Sequence, residues 1–109
     1  MNRIVPESLD GVEWLEPWEA VDAAQRESAE RELIRELAPG HRLYGCEHRC
    51  VAARGDCDDV LFIVDGEALA IVHLTWSRER DPRWPSARLL PDVEAFVAQM
   101  RRDHAELDE

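Results

Sequence analysis

The chain has no lysine: all 13 of its basic residues are arginine, set against 24 acidic ones. That absence excludes Schiff-base catalysis, the phosphate-binding loop with its lysine, and nuclease or kinase sites that place a lysine beside carboxylates. Long apolar runs are missing too. The longest, around residues 60–64 and 68–74, fall far short of the ~18 residues of a membrane span. The opening MNRIVPESLDG has no continuous apolar core and no small-residue cleavage site, so no secretory signal is expected. Cysteine is sparse and odd in number, three in all. Without an export signal this favours reduced thiols over a disulfide framework, and predicts a soluble cytoplasmic protein.

What is present bounds the rest. At 109 residues, 45% of them apolar, the chain is long enough for one packed domain and too short for two. The formal net charge of −11 is uneven: residues 1–40 carry ten acidic and four basic side chains, residues 41–91 eight and seven, the remainder six and two. A field of this sign repels nucleic acid and anionic membranes, and suits solubility or a basic protein partner.

DAAQRESAERELIRELAPG reads as a helix. Asp22 and Gln25 fit a capping box, in which each side chain serves an orphan N–H of the first turn. Ala29, Leu33 and Leu37 form a stripe that Ile34 widens, Glu27 and Arg31 make an i,i+4 pair, and Pro39-Gly40 stops the helix. Pro17 offers an alternative, earlier start. Three apolar runs follow, rich in β-branched residues, at roughly 48–54, 59–65 and 67–76, the last two joined by Asp65-Gly66, the dipeptide of type I′ turns. VLFIV suits a strand buried on both faces. SRERDPRWPSAR, residues 77–88, lacks periodicity and reads as a loop. Val93, Phe96, Val97 and Met100 then share one face of a second helix, with Asp92 and Glu94 near its positive end and Arg101 and Arg102 near its negative end. The expectation is one α+β domain over residues 1–109: N-terminal helix, three-stranded antiparallel meander, C-terminal helix. A helix layer should cover one sheet face, with the core at about 14–103 and both termini frayed.

GCEHRCVAARGDC, residues 45–57, holds all three cysteines. Zinc holds its thiolates about 2.3 Å away, whereas positions i and i+4 of a strand lie ~13 Å apart. Cys46, His48 and Cys50 therefore cannot share an ion from one strand; only an irregular loop would gather them, with Cys57 brought round by the turn. The paired C-x-x-C signal is missing. A nucleophilic thiol needs a base and a lowered pKa. Cys57 is the best placed, and His41, His48 and His73 are the available bases. Asp56, Asp58 and Asp59 offer hard oxygens to a divalent cation, but Asp beside Gly55 is the chemistry of a turn. Buried or turn thiols with no metal and no cofactor are the expectation; a small metal-binding protein or thiol enzyme using these residues is the alternative.

HLTW closes the third apolar run, so either His73 or Trp76 should face the core. In the following loop Arg78, Arg80, Arg83 and Arg88 surround Trp84, which stands between Pro82 and Pro85. This is the one local concentration of positive charge, and Arg and Trp dominate protein–protein hot spots. Trp84 either folds back as a lid on the core beside Trp14 or Trp18, or offers its face to a partner. Arg78, Arg80, Arg83, Trp84, Arg88, His73 and Trp76 are thus the expected partner-binding set.

LYG, ARGDCDDVLFIVDGEALAIVHLTWS and WP, followed by a helix ending MRRDH, resemble a group of small bacterial proteins of unknown function. The likeness covers roughly residues 37–104. It implies a stand-alone bacterial cytoplasmic domain and carries over no catalytic residue. The function expected is therefore a non-enzymatic interaction or accessory domain, antitoxin- or immunity-like, for a basic partner. Self-association through Trp14 and Trp18 or an open sheet edge, giving a homodimer, is compatible with it.

Overall fold

VLFIV is the middle of a five-stranded sheet. A computed structural model describes residues 3–107. Along the chain come a 3-10 turn at Pro6–Leu9, then β1 (Trp18–Ala20), α1 (Ala23–Glu36) and β2 (His48–Arg54). After these come β3 (Asp59–Val64), β4 (Ala68–His73), β5 (Ser86–Leu90) and α2 (Val93–Glu106). The strands lie in sequence order, all antiparallel. The expected meander is present as β2, β3 and β4, but the sheet is wider by one strand at each edge. β1 falls where Pro17 had suggested an early helix start, and β5 within and just after the expected loop. Residues 10–16 add no strand. An edge strand needs hydrogen bonds on one side only, so three residues in β1 suffice.

Alternation along β3 sends Val60, Phe62 and Val64 to one face and Leu61 and Ile63 to the other. Both faces are apolar, so both need cover. α1 covers the first with Ala29, Leu33 and Leu37; α2 covers the second with Phe96 and Met100, joined by Trp18. The expectation of helices on one face is corrected to three layers.

Local signals worked as the sequence proposed at several points. Asp22 accepts the Gln25 N–H at 2.8 Å and Gln25 returns the bond; Asp92, expected only as a charge at the positive end of the second helix, also caps α2 through the Ala95 N–H at 2.8 Å. Asp65 and Gly66 both have positive φ, 54° and 67°, the signs a type I′ turn requires. Two details differ. α1 ends at Glu36, ahead of Pro39, and Ile34 is 68% exposed, its expected place on the buried face taken by Glu32 and Glu36. The expected fraying also recedes. α2 runs to Glu106, with Asp103 buried, and the Ile4 N–H donates to the Gly66 carbonyl at 2.8 Å while Leu9 is buried. Residues 1–2 and 108–109, the outermost of those expected to fray, lie outside the described residues. Among the described residues no helix is long and apolar enough to cross a membrane.

Candidate functional site

At the C-terminal end of α1, Glu36 is fully buried. Its Oε1 accepts the Thr75 N–H at 2.8 Å and the Thr75 hydroxyl at 3.0 Å, and its Oε2 accepts the Trp76 N–H at 2.8 Å. These bonds fix the chain just beyond β4, where Trp76 takes φ 55°, a conformation uncommon for a bulky residue and held only by surroundings that determine it. Burial and the neighbouring Glu32 carboxyl push the Glu36 carboxyl up to about 7, against the pull of those donors. Burial pushes Glu32 up as well, but the Arg35 fork, at 2.9 and 3.0 Å, and the Glu36 hydrogen bond outweigh it, and its net direction is down.

Trp76 itself is 49% exposed. It borders a groove of about 430 Å³ between α1 and the sheet, with Val21, Ala24, Ala53 and Val60 lining it and Cys57 and Asp58 at the β2–β3 turn. The expectation that either His73 or Trp76 faces the core is not met: both are exposed, because the strand ends at His73 and the residue that turns inward beyond it is Leu74.

The arginine set does not form one site. Arg78 and Arg80 line a separate cavity of about 730 Å³ with Arg35, Ile34 and Tyr44. Arg83 is clamped on Asp81 by three bonds of 2.6 to 3.1 Å, which hold the Asp81 carboxyl well below its usual range. Trp84 is 48% exposed and stacks on no other aromatic ring among the described residues, so it is not the core lid; the buried residue there is Pro85, whose carbonyl accepts from His41 Nε2 at 2.8 Å. Arg88 and His73 turn to the α2 face, where they line a smaller cavity of about 270 Å³. There His73 Nδ1 meets Asp59 Oδ1 at 2.7 Å.

The cysteines are dispersed as well. Cys50 is buried in the α1-side core, Cys46 half-buried beside it, and Cys57 exposed in the turn. His48 packs edge-on against Phe62 and bonds the Leu43 carbonyl at 3.0 Å. No group of three His, Cys, Asp or Glu among the described residues is placed to hold a metal ion. Burial is the leading cause that pushes all three thiols up, Cys50 to about 12, opposite to the direction an activated nucleophile needs. Arg54 grips Asp56 at 2.8 Å through two nitrogens, so the acidic turn is tied by ion pairing.

Compared with protein-family models, curated proteins and solved structures, the chain matches none. The functional argument therefore rests on the geometry above. Two features were missed from sequence, the buried Glu32–Glu36 pair and the Asp59–His73 pair. The second had a signal: a turn at Asp65-Gly66 sets a register that carries Asp59 opposite His73.

Proposed function

We propose that the protein is an interaction domain, an accessory module of the antitoxin or immunity kind, which docks a basic segment of a protein partner in the Trp76 groove. One observation carries the reading: an exposed tryptophan whose backbone is locked by a buried carboxylate. A large aromatic at the surface whose mobility is already restricted loses little entropy on binding, which is the condition for a hot spot. Charge supports a basic occupant. The chain carries −11, and Asp58 at the groove has no ion-pair partner among the described residues. An arginine or lysine stem can lie along the apolar lining with its head at Asp58 or over the Trp76 ring.

The test titrates 15N-labelled protein with an Arg/Leu peptide and its Glu/Leu counterpart of equal length. The expected result is saturable movement of the Trp76 indole signal with the basic peptide alone, weakened at least tenfold in Trp76→Ala with the thermal midpoint nearly unchanged. Equal binding of the acidic peptide, or unchanged binding by the variant, would overturn the proposal. A concentration-dependent dimer abolished by Trp76→Ala would replace the partner with a second copy.

A further inference from the structure

The α2 face of the sheet is apolar except at one end. There the registers pair Trp18 with Arg54, Asp59 with His73, and His73 with Ser86. These five residues make a row across all five strands, and cross-strand neighbours share a face. Gln99 and Asp103 of α2 stand over the row and enclose the 270 Å³ cavity with it.

The charges around this cavity are unequally matched. Asp59 faces His73. Asp103 accepts from the Trp18 indole at 2.8 Å and from the Gln99 amide at 2.9 Å, and lies 3.4 Å from Arg54. Each of these carboxylates has a partner. Two cations do not: Arg88, in the lining, and Arg102, which reaches it from outside through Gln99. Both donate to the same neutral oxygen, Gln99 Oε1, at 2.7 Å from Arg88 Nη1 and 2.8 Å from Arg102 Nη2. Neither guanidinium pairs with a carboxylate among the described residues. A neutral amide compensates neither charge, whereas guanidinium bonds to an oxyanion are about twice as strong as neutral ones. His73 Nε2 and the Ser86 hydroxyl add two further polar groups at the cavity. Neither has a hydrogen-bond partner among the described residues, and Asp59 fixes the imidazole by its other nitrogen.

We infer that this cavity binds a small oxyanion, a phosphate or carboxylate group, which replaces the Gln99 oxygen between Arg88 and Arg102 and is completed by the Ser86 hydroxyl. Size sets the class. At about 270 Å³ and open to solvent, the cavity lies just below the ~300–1,000 Å³ of pockets for drug-sized molecules. The net charge of −11 also disfavours an extended polyanion, so the anion belongs to a small molecule. The site lies across the sheet from Trp76, and its test is independent of the proposed docking groove.

Inorganic phosphate and succinate serve as probes, titrated at low ionic strength with chloride as control and read by the His73 ring and Gln99 amide signals. Saturable movement with either probe is expected. Arg88→Ala and Arg102→Ala should each weaken it at least tenfold, while the charge-matched Arg49→Ala and the groove variant Trp76→Ala change it less than twofold. Gln99→Glu places a carboxylate between the two guanidiniums, at the cost of the amide bond to Asp103, and should abolish binding with both arginines in place, so the proposal stays testable if an arginine variant folds poorly. No saturable movement up to 20 mM probe (roughly the weakest binding worth calling a site, ~2 kcal/mol) would overturn it. Equal weakening by Arg49→Ala would overturn it too, as general charge attraction.

Discussion

Each face of the sheet buries a carboxylate that ties down a distant segment, and the two are held differently. On the α1 face Glu36 holds Thr75 and Trp76 through backbone and hydroxyl donors, with another acid, Glu32, as its neighbour. On the α2 face Asp103 holds the Trp18 indole, and Arg54 lies 3.4 Å away. Dipoles alone satisfy the first; a cation helps to balance the second. A buried carboxylate without a cation resists ionisation, because low-dielectric surroundings disfavour the charged form. The lesson is that two similar anchors are balanced by different means, backbone and hydroxyl dipoles on one face and an arginine on the other.

The harshest way to break the comparison is through packing. Phe96 is fully buried and meets Trp18 edge-on at 5.1 Å and Trp14 at 6.0 Å. Phe96→Ala should cost about 3–5 kcal/mol of unfolding free energy in urea denaturation, dismantling the α2 face while leaving the Glu36 anchor untouched.

Next comes the pH response. With its carboxyl raised from 4.5 to about 7, folded Glu36 keeps a proton that the unfolded chain releases between those values. The stability it contributes is complete below about pH 4.5 and is lost as pH rises to about 7. At 1.36 kcal/mol per pH unit the loss approaches 3 kcal/mol. Glu32, moved down, acts in the opposite direction only below its ordinary 4.5. Burial pushes the His48 imidazole down, which adds a stability that rises with pH through 6.5. Unfolding free energy measured from pH 4.5 to 8 should therefore run with a more negative slope in the wild type than in Glu36→Gln. A wild-type slope equal to that of the variant would mean that burial does not hold the Glu36 proton.

The gentlest probe is Trp18→Phe, which keeps an aromatic ring against Phe96 but removes the indole bond to Asp103 and part of a buried ring system. A bond to a charged acceptor contributes ~1.5–3 kcal/mol, so a loss of about 2 kcal/mol is expected, with the pH slope of the wild type retained.

How much could be read in advance follows the same division. Asp22 with Gln25, Asp92, the Asp65-Gly66 turn and the bounds of β2 were legible because each depends on neighbours within a few residues. Glu32 and Glu36 were passed over because an apolar stripe drawn through Ile34 rotates the buried face of α1 away from them. β1 is too short to show a period, and β5 carries only Ala, Leu and Leu among its five residues as apolar signal. The arginines looked like one cluster because the chain lists them close together. In the fold, the end of β4 and the start of β5 send them to different faces.

By itself, then, the sequence determined the helices, the central meander, the absence of lysine chemistry and the acidic surface, since composition and short-range hydrogen bonding need no partner. Only the tertiary structure decided that Glu36 would hold Trp76 and that Arg88 and Arg102 would meet on Gln99. Those are contacts between side chains brought together by packing. Their energies depend on distance and burial, which sequence spacing does not contain.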